Sequence, residues 1–128
     1  MTITLTDIDH VVLYARDQEA LVAFYRDVLG CEEVRRNAAV GLVHLRAGRA
    51  MLDILQMPEG SDAGSGRNMD HVAFRVATFD EAAIAAHLAA FGVTPTPVKD
   101  RFGALGTGPS LTFADPEGNM IELKGPSA

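Results

Sequence analysis

The chain has 128 residues, 48% of them hydrophobic, which is enough for one compact domain with its own core. It contains 11 Lys and Arg residues against 17 Asp and Glu residues, so its formal net charge is −6. This acidic balance argues against nucleic acid and an anionic membrane as partners, and no apolar stretch approaches the ~20 residues of a membrane helix.

Cysteine usage and the first residues bear on the compartment. The single cysteine, Cys31, cannot form an intrachain disulfide, and we expect it to be a small, half-buried residue next to a helix end. The first seven residues lack the basic start and the unbroken apolar run of a secretion signal. We therefore expect a cytoplasmic protein.

The first half of the chain predicts the order strand, helix, three strands. Alternating apolar residues predict a strand over residues 8–14. Asp17 then caps a helix that ends at Gly30, because apolar residues recur three and four positions apart between them. Further extended segments are predicted over residues 32–36, 42–46 and 50–56.

The second half repeats this order after a change of composition. Residues 58–67 contain no apolar side chain larger than alanine, which predicts a flexible linker. The elements predicted beyond it are a strand over residues 70–76, a helix over 80–91 closed by Gly92, and extended pieces over 93–98, 110–114 and 120–124. The sequence thus predicts a single α+β domain of two tandem βαβββ modules, about residues 5–57 and 68–125, joined by linker 58–67.

Two short stretches have the same form: Asp-His-Val-Val-Leu at residues 9–13 and Asp-His-Val-Ala-Phe-Arg-Val at residues 70–76. Alternation places His10 and His71 on one face of their strands and the apolar neighbours on the face toward the helix. The last strand of each half, sorted in the same way, places Asp53 and Glu122 on the faces that carry the histidines. We therefore expect two histidines and two carboxylates on one concave face.

A carboxylate among apolar residues is costly without a positive partner. Two imidazoles and one or two carboxylates suit a divalent metal such as Zn, Ni, Mn or Fe(II). We predict one metal per site, with His10, His71 and Glu122 as ligands and Asp53 either as a fourth ligand or as a residue that supports one. The alternative is that the histidines are hydrogen-bonded core residues and Glu122 is a salt-bridged surface residue.

Four further residues are candidates for the same site. His44 lines it if its strand neighbours face the helix, and is then a candidate proton shuttle rather than a polar rim residue. Arg75 could fix a substrate carboxylate or phosphonate, or could instead pair with a nearby acid. Tyr14 and Ser110 are the other candidates for substrate binding. Residues 102–109 hold three glycines and predict a loop that could lie over the site as a lid.

A resemblance to a known family rests on His10 and His71 at the start of the two halves, on Asp53, and on the terminal motif Asp-Pro-Glu-Gly-Asn-Met-Ile-Glu-Leu at residues 115–123. With these residues the chain resembles the vicinal oxygen chelate superfamily, the glyoxalase, bleomycin-resistance and extradiol-dioxygenase group. This resemblance implies paired βαβββ modules that form cup-shaped mixed sheets, usually in a homodimer. It implies metal ligands at His10, His71 and Glu122, with an acid at Asp53 in glyoxalase-like members. The implied partner is a small-molecule substrate that chelates the metal through adjacent oxygens.

Several branches of this family remain open. A glyoxalase-like lyase or isomerase needs a ligand that leaves the metal to move a proton, which Glu122 or Asp53 could do. An extradiol dioxygenase needs open metal positions, one of which Asp53 would occupy, and in the thiol-transferring fosfomycin-resistance members a threonine usually stands where this chain has Val12. A metal-free, drug-sequestering protein of the bleomycin-resistance type would not need the three ligands. We expect the metal-dependent lyase or isomerase.

Overall fold

The computed structural model describes residues 4–61 and 68–126. The chain divides between Asn68 and Met69 into two compact units, and each unit has one helix and one four-stranded mixed sheet. Most of the predicted linker, residues 62–67, lies outside the described residues. In the part of the chain that is described, neither helix has the length and apolar character needed to span a membrane.

The first unit contains β1 (His10–Ala15), α1 (Gln18–Asp27), β2 (Glu32–Asn37), β3 (Leu42–Ala47) and β4 (Ala50–Gln56). The strand order is β1-β4-β3-β2, with β1 parallel to β4 and the other pairs antiparallel. The carboxylate of Asp17 caps α1 by accepting a hydrogen bond of 3.1 Å from the Ala20 N–H, as predicted. The core of this unit is formed by buried side chains of α1, β3 and β4: Leu21, Val22, Tyr25, Val43, Leu45, Leu52 and Ile54.

Two glutamines fasten the start of α1 to the end of β4. The Gln18 side chain donates hydrogen bonds to the carbonyls of Gly41 at 2.7 Å and Ile54 at 2.9 Å. The Gln18 backbone N–H donates to the Gln56 side-chain carbonyl at 3.2 Å. These bonds satisfy backbone groups at the strand ends, which fixes β4 and the residues on its other face.

The second unit contains β5 (His71–Arg75), α2 (Glu81–Ala89), β6 (Lys99–Gly103), β7 (Gly106–Ala114) and β8 (Met120–Lys124). Its order, β5-β8-β7-β6 with β5 parallel to β8, repeats that of the first unit. Asp80 caps α2 by accepting from the Ala83 N–H at 3.1 Å. The turn before β8 is held by Asp115, whose carboxylate accepts from the backbone N–H groups of Glu117 and Asn119, both at 2.9 Å.

The structure corrects the prediction for residues 93–109. Residues 93–98 form no strand, because Pro95 and Pro97 lack N–H donors; Thr96 alone of these residues bonds to β7, from its N–H to the Thr112 carbonyl at 2.9 Å. The segment 102–109, predicted as a lid, lies instead in the β6–β7 hairpin, where Gly103 pairs with Gly106. In the sequence its three glycines indicate a loop. In the structure they lie in β6 and β7, beside the tight turn, where the lack of a side chain lets other groups approach closely.

Burial along the strands confirms the predicted faces. In β1, Leu13 is 1% exposed, whereas its neighbours Val12 and Tyr14 are 46% and 39% exposed. In β5, Val72 and Phe74 are half-buried, whereas His71, Ala73 and Arg75 are exposed. Each sheet therefore has an apolar face and an opposite face, which we call the first open face in the first unit and the second open face in the second unit.

Candidate functional site

The first open face carries His10, Val12 and Tyr14 from β1, Met51, Asp53 and Leu55 from β4, and His44 from β3. Asp53 is paired with Val12 on one side and with His44 on the other. Directly paired residues point to the same side of a sheet, so the carboxylate of Asp53 lies beside the imidazole of His44.

Asp53 and His44 form a hydrogen-bonded pair. The distance from His44 Nδ1 to Asp53 Oδ1 is 2.9 Å, and the exposed fractions of the two side chains are 24% for His44 and 5% for Asp53. An ionised, buried carboxylate needs such a donor, and this bond places the proton of a neutral imidazole on Nδ1. Nε2 is then the nitrogen that can accept a proton, and Asp53 stabilises the imidazolium that results.

His10 lies at the start of the same face and is oriented by the residue before it. Its Nδ1 is 2.7 Å from Asp9 Oδ2. The hydrogen bond to Asp9 raises the pKa of His10, and the negative charge of Asp53 raises it further. The register of β1 and β4 pairs Val12 with Asp53, so His10 and Asp53 are diagonal neighbours on the first open face.

The second open face brings together the other two predicted ligands. Nε2 of His71, on β5, is 3.5 Å from Oε1 of Glu122, on the neighbouring strand β8. Glu122 is buried, with 9% of its side chain exposed, whereas the His71 side chain is 45% exposed. Two ligand atoms that are each ~2.1 Å from a tetrahedral ion lie about 3.4 Å apart, so the spacing of this nitrogen and oxygen fits a shared divalent metal.

Asp70 orients His71 as Asp9 orients His10. The distance from His71 Nδ1 to Asp70 Oδ2 is 2.7 Å, the same as in the first unit. A carboxylate on Nδ1 directs Nε2 outward, an arrangement that is common around metal-binding histidines. Sequence reasoning assigned no role to the two aspartates, although the repeated Asp-His pair was the signal for one.

Within residues 4–61 and 68–126, no three His, Cys, Asp or Glu side chains gather at one point as a metal site. The four predicted ligands fall into two pairs, one in each unit: His10 with Asp53, and His71 with Glu122. The donor types of the second pair, one imidazole and one carboxylate, suit a divalent metal.

The predicted substrate-binding residues occupy different environments. Tyr14 is 39% exposed on the first open face, and Arg75 is exposed on the second. Ser110 is fully buried, and its hydroxyl accepts a hydrogen bond from the guanidinium of Arg101, a residue that sequence reasoning missed. Cys31 is buried, more deeply than the half-buried position expected for it, and this burial raises the pKa of its thiol.

Solved structures share this fold along nearly the whole chain. An integron cassette protein from the mobile metagenome of V. cholerae is 28% identical, with a TM-score of 0.81 over 99% of this chain and 100% of that one. A virulence protein from Salmonella typhimurium is 23% identical, with a TM-score of 0.80 over 98% and 100% of the two chains. A genomically encoded fosfomycin resistance protein from Listeria monocytogenes is 19% identical, with a TM-score of 0.75 over 97% and 96%.

The family comparison covers both units. The model of the Glyoxalase/Bleomycin resistance protein/Dioxygenase superfamily matches residues 7–123, from before His10 to after Glu122. The match therefore includes β1 and β5, which begin with His10 and His71, and β4 and β8, which carry Asp53 and Glu122. The chain belongs to the Glyoxalase/Bleomycin resistance protein/Dioxygenase superfamily.

Proposed function

We propose that this protein is a divalent-metal-dependent lyase or isomerase of the glyoxalase type, acting on a small molecule whose adjacent oxygens chelate the metal. The observation that carries this proposal is the pair formed by His71 and Glu122, whose Nε2 and Oε1 atoms are 3.5 Å apart. Asp70 supports it by engaging the other nitrogen of His71. Members of the superfamily commonly bind a divalent metal, which adds to this support.

In this proposal His71 and Glu122 are two ligands of the metal and His10 is the third. Imidazole and carboxylate ligands suit Zn, Ni, Mn and Fe(II). Asp53 is the candidate fourth ligand, since its bond to His44 engages Oδ1 only. Superfamily members often form dimers, and we propose that this protein acts as a cytoplasmic homodimer.

A bound divalent ion would supply Lewis-acid stabilisation of the negative charge that develops on a substrate oxygen. The chain itself would supply the proton transfer. His44 accepts a proton from substrate carbon at Nε2 and returns it to the product, while Asp53 holds the ring and offsets its charge. Glu122 and Asp53 are the other candidate proton carriers, and Tyr14, Arg75 and Ser110 are the candidates for orienting the substrate.

Elemental analysis of the purified protein, incubated with Zn, Ni, Mn or Fe(II) and then desalted, tests the metal proposal. We expect about one divalent metal per chain, and a loss of metal in His71→Ala. The matched control is His87→Ala, which removes an exposed histidine of α2 whose ring contacts Phe91. Wild-type protein that retains no metal would overturn the enzyme proposal and leave drug sequestration.

A substrate panel tests the reaction. Hemithioacetals probe the lyase and isomerase activity, catechols probe dioxygenase activity, and fosfomycin with or without thiols probes resistance activity. We expect turnover in the first group, dependent on metal and lost in His71→Ala. Turnover of catechols or fosfomycin alone would assign the chain to another branch of its superfamily.

A further inference from the structure

The second open face carries a group of positive charges in a chain whose net charge is −6. In the sheet register, Arg75 pairs with Lys124, and Lys124 pairs in turn with Ser110. Paired residues share a face, and Lys124 is two positions from Glu122 on β8. Arg75 and Lys124 therefore lie on the face that carries His71 and Glu122.

The side chain of Lys124 crosses β7 toward β6. A Cβ atom added to Gly103, on β6, would lie 2.5 Å from Lys124 Cε and 3.7 Å from its Nζ. β7 separates β6 from β8 in the sheet, so Lys124 must extend over β7 to reach this position. The glycine at position 103 leaves room for the Cδ and Cε methylenes of Lys124, which bring its ammonium group to this side of the face.

Arg101 lies on β6, two positions before Gly103, and is held by a buried partner. Its guanidinium donates to the hydroxyl of Ser110, which is 0% exposed. This bond uses one of the five guanidinium donors and fixes the group over β7. Arg101 and the Lys124 ammonium thus approach the same part of the second open face.

In the described part of the chain, residues 4–61 and 68–126, none of Arg75, Arg101 and Lys124 forms an ion pair with a carboxylate. Like charges on one face repel, and a bound anion offsets that repulsion. We propose that Arg75, Arg101 and Lys124 bind an oxyanion group of the substrate, beside the pair formed by His71 and Glu122. This inference rests on the proposed function, because it names the substrate class of the same site.

The oxyanion is a phosphonate, phosphate or carboxylate at one end of the substrate. Guanidinium groups bind such oxygens through parallel N–H donors, and an ammonium adds a compact charge. The substrate would present this group to the cations and its adjacent oxygens to the metal. A substrate without an anionic group would leave Arg75, Arg101 and Lys124 without an ion-pair partner in the described part of the chain.

Calorimetric titration of the protein with inorganic phosphate, methylphosphonate or acetate tests the proposal and separates the sources of the oxyanion. The titrations use wild-type protein and His71→Ala, in which metal binding is removed. We expect at least one of the three probes to bind to both proteins. If metal binds to the wild type and no probe binds, the anion proposal fails and the proposed function stands. If a probe binds and no metal does, the metal-dependent function fails, and the three cations form an anion site without the proposed metal chemistry.

Three variants locate the anion. Arg75→Gln and Lys124→Gln should each weaken binding of the probe about tenfold, as expected for loss of a charged hydrogen bond. Gly103→Ala keeps every charge but displaces the Lys124 side chain, and should weaken binding about threefold. Circular dichroism and thermal unfolding would check that each variant is folded.

Arg26→Gln is the control for overall charge, because Arg26 lies on α1 in an exposed ion pair with Asp27. It removes one positive charge, as Arg75→Gln does, and should leave the affinity for the probe unchanged. Equal weakening in the Arg26 and Arg75 variants, or none in the Arg75, Lys124 and Gly103 variants, would show adventitious ion binding only and overturn the proposal.

Discussion

The two halves of the chain place a carboxylate at the same point of the same kind of sheet and give it different neighbours. Asp53 on β4 lies between Val12 and His44, whereas Glu122 on β8 lies between Ala73 and Thr112. Both carboxylates are buried, at 4% and 7% exposure.

The neighbours determine which group each carboxylate contacts. His44 offers Asp53 a hydrogen bond of 2.9 Å, while the corresponding Thr112 has its hydroxyl 3.0 Å from that of Thr96. Glutamate is one methylene longer than aspartate, and Glu122 approaches Nε2 of His71. The same sheet topology thus holds a pair suited to proton transfer in the first unit, His44 with Asp53, and a pair suited to metal binding in the second, His71 with Glu122.

The largest effect on metal affinity should come from Glu122, with a much smaller one from the corresponding Asp53. Glu122→Gln removes a negatively charged donor from the proposed metal site, and we expect metal affinity to fall more than about 100-fold. Asp53→Asn keeps an acceptor for His44, and we expect metal affinity to change by less than about tenfold. Competition with a chelator of known affinity measures both. Equal losses would mean that Asp53 is a metal ligand of equal weight, as one form of the sequence prediction had it.

The next effect separates the two residues that flank the carboxylates. His44→Gln should lower kcat by about 10²- to 10⁴-fold, the usual contribution of a proton-transfer group, without loss of metal. Thr112→Val, at the corresponding place in the second unit, should change kcat only a few-fold. Steady-state kinetics on the substrate identified by the panel, with metal content measured in parallel, checks this contrast. An active His44→Gln variant would transfer the proton role to Glu122 or Asp53.

A smaller effect should come from the aspartates that precede the two histidines. Asp70→Asn and Asp9→Asn each weaken the bond that orients an imidazole, and groups of this kind typically change metal affinity about 10- to 100-fold. The same chelator competition measures both variants. An effect in Asp70→Asn alone would show that His10 is not a ligand, and would confine the metal to the second unit.

Most of the fold follows from local rules that can be read in the sequence. The apolar alternation of β1 and the cap at Asp17 depend on residues within a few positions of one another, and both were found where expected. The β6–β7 hairpin was missed, because strand segments rich in glycine, one in β6 and two in β7, form only where neighbouring strands pair with them.

The candidate site, like the fold, has features that can be predicted from the sequence and features that cannot. The histidines and carboxylates were predicted from their repeated positions. The pair of His44 with Asp53 could also have been predicted, because the two-residue turn at Gly48 and Arg49 fixes a strand register that places these two residues opposite each other. The position of Lys124 over Gly103 could not have been predicted, since it depends on how one long side chain crosses a neighbouring strand. Contacts of long, exposed side chains are set by rotamers rather than by pattern.

The smallest predicted effect is on stability and concerns the contacts of one long, exposed side chain, Arg36. These contacts also differ between the two halves of the chain. Arg36 on β2 pairs with Glu19 on α1 and with Glu33 on its own strand, whereas among residues 68–126 the carboxylate of α2, Glu81, forms no ion pair with its sheet. Arg36 lowers the pKa of both glutamates, so their ionised forms stabilise the folded state above the ordinary pKa of about 4.3. This stabilisation is lost as the pH falls through the lowered values.

Arg36→Gln should therefore reduce stability slightly at pH 7, because all three side chains are at least one-third exposed, and should reduce it less at pH 3. Urea unfolding at the two pH values measures the difference. Arg49→Gln is the matched control, because Arg49 is 87% exposed and pairs with Asp7 rather than with a residue of α1. An equal loss of stability for Arg36→Gln at both pH values would mean that Arg36 acts through the packing of its side-chain stem. The ion pair between helix and sheet would then not distinguish the first unit from the second.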